Sequence, residues 1–330
     1  MPHKKLRVGS IVKFLIIVTA LVLAGLIFLN RQRIIDQINY WNYTPSSEIA
    51  SFAARSSMND EGKFLFYSAH PSLEDRDAFN ASCPTYSSDT AILGCYDGQN
   101  IYIYNVTNTD LDGIREETSA YEMLHAAYKR LSDSDRKNLD TLIEAEYAKQ
   151  ATSDTDKAVA YFAKFEPGER DDELFSVIAT HFATISPALE TYYARYFINR
   201  QDLVALFNKY QGVFDSLKQQ STDLYNTLSS LSAEINAESK QYNDDSATLS
   251  NDIDTFNTKA KNGGFSSQSD FDSQRAALIA RSNALEKERT DLNSKIDTYN
   301  KDRAAYEALV VRQQALNSSI DSTVAPAPSL

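Results

Sequence analysis

Residues 101–131 read IYIYNVTNTDLDGIREETSAYEMLHAAYKRL, and the change of period inside this stretch decides the architecture of the first half of the chain. Asn100-Ile101-Tyr102-Ile103-Tyr104-Asn105-Val106 is aromatic and β-branched and follows Asp97-Gly98, a turn pair, so a strand is expected there. From about 113 to 131 the pattern becomes helical, and Met123, Leu124, Ala126 and Ala127 give that helix the apolar surface of one packed in a core. The order is strand, turn, buried helix.

Upstream, Lys63-Phe64-Leu65-Phe66-Tyr67 has the composition of a second strand. Downstream, helices are expected at about 135–149, 155–165 and 171–185, with another from Pro187 onward. Ser132 and Ser186 sit at natural helix boundaries, and Pro187 suits a first turn. Residues 34–200 therefore read as one mixed domain, and the chain as α+β, mainly α.

Heptads take over from Leu203. Leu203, Phe207, Tyr210, Phe214, Leu217, Leu224, Leu228, Leu231, Ile235, Tyr242, Leu249 and Phe256 share one alternating spacing of four and three, the signature of a coiled coil. Asn262-Gly263-Gly264-Phe265 interrupts the series, and a second begins with Phe271, Leu278, Leu285, Leu292, Ile296 and Tyr299. Folding back at the Gly pair places Phe256 opposite Phe271, Leu249 opposite Leu278 and Ile235 opposite Leu292. The same register sets Asp252 against Arg275 and Glu238 against Arg289. Those acid–arginine matches favour an antiparallel coiled-coil hairpin over residues 201–322, with its turn at 262–265. The competing arrangement, a parallel dimer, stacks Asp252 on its own copy. Residues 323–330 form a flexible tail.

The N-terminus carries a third kind of segment. Phe14–Leu29, FLIIVTALVLAGLIFL, is sixteen residues without a charge, close to the length a bilayer requires. Lys4, Lys5, Arg7 and Lys13 precede it and only Arg31 and Arg33 follow closely, which places the N-terminus in the cytoplasm and the body of the chain outside. Val22-Leu23-Ala24 also reads as a signal-peptide cleavage site, but GLIFL prolongs the apolar run beyond it and favours a single-pass transmembrane anchor over residues 1–33. The net charge of -12 then divides: six Lys/Arg and no acid lie in residues 1–33, so the remainder carries -18. An acidic body argues against nucleic-acid binding. Cys83 and Cys95, the two cysteines, fit a short-loop disulfide in an oxidising compartment.

One group of residues has the types needed for chemistry. Tyr121-Glu122-Met123-Leu124-His125 differs at its first position from H-E-x-x-H, in which two His at i and i+4 bind zinc and the Glu activates a metal-bound water. Asn100–Leu131, Glu166–Arg170, Glu173–Phe182, Leu189-Glu190, Tyr192–Arg200, the turn 262–265 and the Ala-Pro-Ala-Pro-Ser-Leu tail together resemble a group of bacterial membrane-anchored proteins with a zincin-like, gluzincin-type domain and a C-terminal helical hairpin. In that group the helix reads H-E-M-L-H-A and a later helix ends in G-T-E, whose Glu is a metal ligand. The resemblance implies Glu122 as the catalytic base and His125 as a zinc ligand. It sets Tyr121 where the first ligand His belongs, and His181, in Ala179-Thr180-His181, at the third-ligand place.

Both departures fall on the metal site. A phenol must lose a proton with a pKa near about 10 before it binds zinc well, so Tyr121 is a poor substitute for imidazole. The resemblance thus implies a degenerate metallopeptidase, a pseudoenzyme whose hairpin serves interaction or spacing. The alternative is an active zinc peptidase of the cell envelope, acting on a peptide or envelope protein with the ligands His125, His181 and Tyr121. On the residues alone, Tyr121, His125 and His181 also fit a core satisfied by hydrogen bonds. Glu173 is another acid in the region, without a spacing that distinguishes it.

Overall fold

A computed structural model describes residues 8–83, 92–152, 159 and 168–322. Of the helix expected at 155–165 only Val159 is described; it is helical and buried. Lys4, Lys5, Arg7 and the Ala-Pro tail lie outside the described residues. The chain is mainly helical with few strands and has two compact units, Met1–Val213 with Leu316–Leu330, and Phe214–Ala315.

The first unit opens with α1 (Val8–Leu29), whose stretch Val12–Leu29 is long and apolar enough to cross a membrane and is not buried. α2 (Arg31–Asn42) and α3 (Ser47–Arg55) follow. The segment expected as a strand at Lys63–Tyr67 is instead inside a helix, α4 (Asp60–Ser68). The Asn59 side chain accepts from the amides of Glu61 and Gly62, and two acids occupy the first turn, so the N-cap outweighs the local β-propensity. Tertiary packing enforces it: Phe64, Leu65 and Phe66 are buried, and a Cβ on Gly62 would come within 2.3 Å of the Tyr196 carbonyl oxygen.

The strand expected at 100–106 is present as Ile101–Tyr104. It is β3, at the centre of a three-stranded sheet of order β1-β3-β2. β1 (Ser72–Glu74) pairs with it in parallel and β2 (Gly94–Tyr96) antiparallel, so that Ile103 lies opposite both Leu73 and Gly94. Ile101 and Ile103 are fully buried. Between β1 and β2, α5 (Arg76–Ser82) ends at Cys83, which is disulfide-bonded to Cys95 with a Cα–Cα distance of 6.0 Å.

Gly113, at φ +107, turns the chain from a short 3₁₀ segment (Thr109–Leu111) into α6 (Ile114–Lys129). α7 (Asp133–Gln150) is capped by Ser132, whose side chain accepts from the Asp135 amide. α8 (Arg170–His181) ends four residues before the expected boundary, and α9 (Pro187–Tyr193) starts with Pro in its first turn. The core lies where α6 packs on α8, among Met123, Leu124, Phe175 and Ile178. The Tyr193 hydroxyl, fully buried, donates to the Phe175 carbonyl at 2.8 Å.

Two arginines secure the C-terminal ends of these helices, where carbonyls lack helical partners. Arg130 donates to the Ala126 carbonyl at 2.6 Å and holds buried Asp36 of α2 with two bonds, at 2.7 and 2.8 Å. Arg200 donates to the carbonyls of Ala179 and Phe182 and pairs with Glu190. The first pair also clamps α2 to the end of α6.

Two long helices, α10 (Arg200–Lys261) and α11 (Gln268–Ile320), supply the second unit. Within it they run antiparallel. Phe256 meets Phe271 with ring centroids 5.2 Å apart, and Phe265 of the turn contacts both. Gly263 adopts φ +67, and the amide of Gly264 returns to the Lys259 carbonyl at 2.9 Å, which ends α10. Leu249 and Leu292 are buried, and Leu228, Leu231, Leu278 and Leu285 are half-buried.

The expected charge pairs are different. Asp252 pairs with Arg281 at 2.6 Å rather than with Arg275, and Glu238 pairs with Lys295 rather than with Arg289, which bonds Glu286 of its own helix. Asp252 and Arg275 are exposed, so the seam turns its charges outward and each acid reaches a flanking cation in solvent. Long side chains on flanking positions make such contacts without desolvating either charge.

Asp36→Ala leaves Arg130 charged and without its buried partner, and is expected to lower the stability of the chain by about 3–5 kcal/mol in denaturant melts. Replacing Cys83 and Cys95 together with Ser is expected to lower it by about 2–4 kcal/mol, read as a lower Tm that reductant no longer changes.

Candidate functional site

The candidate residues lie on α6 and α8, and their spacing on each helix decides which of them meet. Tyr121 and His125, one turn apart, present adjacent rings whose centroids are 5.1 Å apart. Asp172 and Glu173 come from the first turn of α8, an N-terminal position that suits acids. The Tyr121 hydroxyl donates to Glu173 Oε2 at 2.6 Å. His125 Nδ1 donates to Asp172 Oδ1 at 2.8 Å, and its Nε2 stands 3.7 Å from Glu173 Oε1. Lys129, one turn beyond His125, reaches Asp172 Oδ2 at 3.2 Å. The carboxylates of Asp172 and Glu173 are buried, and the His125 side chain nearly so.

His181 belongs to a neighbouring group. It sits eight residues after Glu173, a rise of about 12 Å along α8. Its ring stacks on Phe207 with centroids 3.9 Å apart, and its Nε2 faces Glu117 Oε1 at 3.4 Å without forming a hydrogen bond. Glu117 Oε2 accepts from Tyr210 at 3.2 Å. The Tyr121 ring is the link between the two groups, 6.3 Å from that of His181.

Glu122 faces the sheet. A Cβ on Gly94 would lie 2.8 Å from Glu122 Oε1 and 2.6 Å from Thr118 Cγ2, so β2 can lie over α6 only because that position is Gly. Removed from water, the Glu122 carboxyl is pushed up to about 8; His125 opposes this shift, and the charges of Glu173, Asp172 and Glu117 add to it. Burial pulls His125 down, but Asp172 and Glu173 outweigh it and raise the imidazole to about 10. Burial, followed by the charge of Glu173, lifts the Tyr121 phenol well above its ordinary value. All three shifts run towards the protonated form.

As they stand, these side chains are committed to one another. Among the described residues no group of three or more His, Cys, Asp or Glu is placed to hold a metal ion. Glu173, the carboxylate nearest His125, is engaged by the Tyr121 hydroxyl on one oxygen and faced by His125 on the other. The arrangement compensates itself: the Tyr121 hydroxyl donates to Glu173, the His125 ring bonds Asp172, and the charge of each carboxylate faces a donor.

Sequence reasoning placed Tyr121, Glu122 and His125 on one helix, and the structure agrees. It passed over Asp172 and treated Glu173 as one acid among many. The available signal was three consecutive acids, Asp171-Asp172-Glu173, opening a helix whose next residues, Leu174 to Thr180, are all buried. Compared with family models, curated proteins and solved structures, the chain matches none.

A carboxyl whose folded pKa is raised contributes stability that is complete below its ordinary value of 4.5 and is lost as pH climbs to about 8. The Tm of the native chain is expected to fall between pH 5 and pH 8, and to fall less in Glu122→Gln, which removes that carboxyl and leaves the raised His125 in place. Equal slopes in scanning fluorimetry would show that Glu122 ionises normally.

Proposed function

We propose that this protein is a membrane-anchored, extracytoplasmic zincin-like protein that has lost hydrolysis, with a coiled-coil hairpin used for interaction or spacing. The observation that carries the reading is the hydrogen bond from the Tyr121 hydroxyl to Glu173. The residue at the place of the first ligand His is tied instead to Glu173, the carboxylate that also lies nearest His125 Nε2. The order strand, turn, helix leading to Tyr121-Glu122-Met123-Leu124-His125 supports descent from a peptidase, as does the Glu122 carboxyl lying beneath an edge strand. The apolar span of α1, the excess of Lys and Arg before it and the Cys83–Cys95 bond support an anchored body outside the cytoplasm, with the N-terminus inside. The long antiparallel helices support a role for the arm in reaching a protein or peptide of the envelope.

A second reading keeps zinc chemistry. His125 donates Nδ1–H to Asp172, the orientation by which carboxylates hold metal-ligating imidazoles. On that reading His125 and Glu173 are ligands, with Tyr121 displaced and His181 turned inward.

Zinc analysis of the full chain, purified in detergent under metal-replete conditions, separates the two. The pseudoenzyme reading expects no stoichiometric zinc in the native chain and restored binding in Tyr121→His, lost again in the double variant with Glu173→Gln. Stoichiometric zinc in the native chain that disappears in His125→Ala establishes the second reading. Zinc binding in neither the native chain nor Tyr121→His removes the zincin-like assignment.

A further inference from the structure

α2 follows the apolar span after a single residue, Asn30, and has two faces of opposite character. One is docked. Asp36 is 1% exposed and bound to Arg130, the Tyr40 ring lies 5.3 Å from that of Phe64, and the Asn39 carbonyl contacts His70 Nε2 at 2.9 Å. The other face is open to solvent and carries three large apolar side chains, with Gln37 beside them. Ile34, Ile38 and Trp41, at i, i+4 and i+7, are 40%, 48% and 74% exposed.

Chain continuity identifies what covers this face. Ile34 is five residues beyond Leu29, the last residue of the span, a rise of about 8 Å if the helix ran straight on. Trp41 would then stand about 18 Å above the hydrocarbon. The headgroup layer accounts for only about 5–8 Å on each side of the bilayer, so a straight continuation leaves Trp41 and Ile38 in water. Asn30 permits another course: its backbone, at φ -106 and ψ 13, departs from helical values between α1 and α2. Isoleucine and tryptophan on one face of a short helix that opens with Arg31 and Arg33 is the composition of a helix lying in the membrane interface.

We infer that α2 is an interfacial helix, which bends at Asn30 and lays Ile34, Ile38 and Trp41 into the headgroup–acyl boundary of the bilayer that α1 spans. The inference rests on the anchored reading of α1. Because the Asp36–Arg130 pair joins α2 to the end of α6, the membrane surface then fixes the orientation of the first unit, with the docked face of α2 turned away from the lipid.

Trp41 is the single Trp of the chain and reports its own depth. The full chain is reconstituted into vesicles of phosphatidylcholine and phosphatidylglycerol, and flotation, emission maximum, iodide quenching and quenching by brominated lipids are measured. The expected result is co-flotation, with blue-shifted emission, several-fold lower iodide access than in the unfolded chain, and stronger quenching by bromines near the headgroup than deep in the acyl chains. Ile38→Asp, an exposed change that spares the core, is expected to red-shift the emission and restore iodide access while flotation persists. Floating protein whose Trp41 remains open to iodide overturns the inference. So does blue-shifted emission that no brominated lipid quenches, the sign of a face covered by a second copy or another protein. Failure to float removes the anchored reading, and this inference with it.

Discussion

The contact on which the first unit depends is the buried one between α6 and α8, where Tyr121 and His125 meet Glu173 and Asp172. Two carboxylates removed from water are tolerable only if each has a donor aimed at it. The hydroxyl and the imidazolium are those donors, and Lys129 adds a third at the rim. The apolar packing of Met123, Leu124, Phe175 and Ile178 surrounds this polar centre and depends on its being satisfied. The bonds that make the helix pair stable engage both carboxylates.

Each site helix is also held from outside. Arg130 and Arg200 satisfy the C-terminal carbonyls of α6 and α8, and each carries a carboxylate partner, Asp36 and Glu190 respectively. Arginine suits both positions because its planar fork can meet a carbonyl and a carboxylate together. Through Asp36 the first of these links extends to α2, so the segment that follows the apolar span is coupled to the helix bearing Tyr121, Glu122 and His125. In the second unit charges play the opposite part. Asp252, Glu238 and Lys295 lie on the flanks, where they remain hydrated, and the seam is left to leucines and aromatic rings.

Much of this was legible in the chain because it is local. The apolar run ending at Leu29, the strand at Ile101–Tyr104, the helix carrying Tyr121 to His125, the Ser132 boundary and the turn at Gly263-Gly264 each depend on neighbours in sequence. Lys63–Tyr67 is helical against its composition: its aromatic residues weigh towards a strand, whereas the deciding residue, Asn59, lies outside the stretch and caps a helix. The pairing of Asp252 with Arg275 failed for another reason: a heptad repeat gives the register of the backbones, not the direction in which a long charged side chain leaves the seam.

By itself the sequence determined the segments, their order, the charge asymmetry about the apolar run and the residue types on α6, since propensity, period and charge act over a few residues. Only the tertiary structure decided which of those residues share a site. Glu173 joins Tyr121 and His125, while His181, two turns on, turns to Phe207 and Glu117. The physical reason is that α6 and α8 are separated by about forty residues, and the level at which two helices meet is set by core packing along their whole contact.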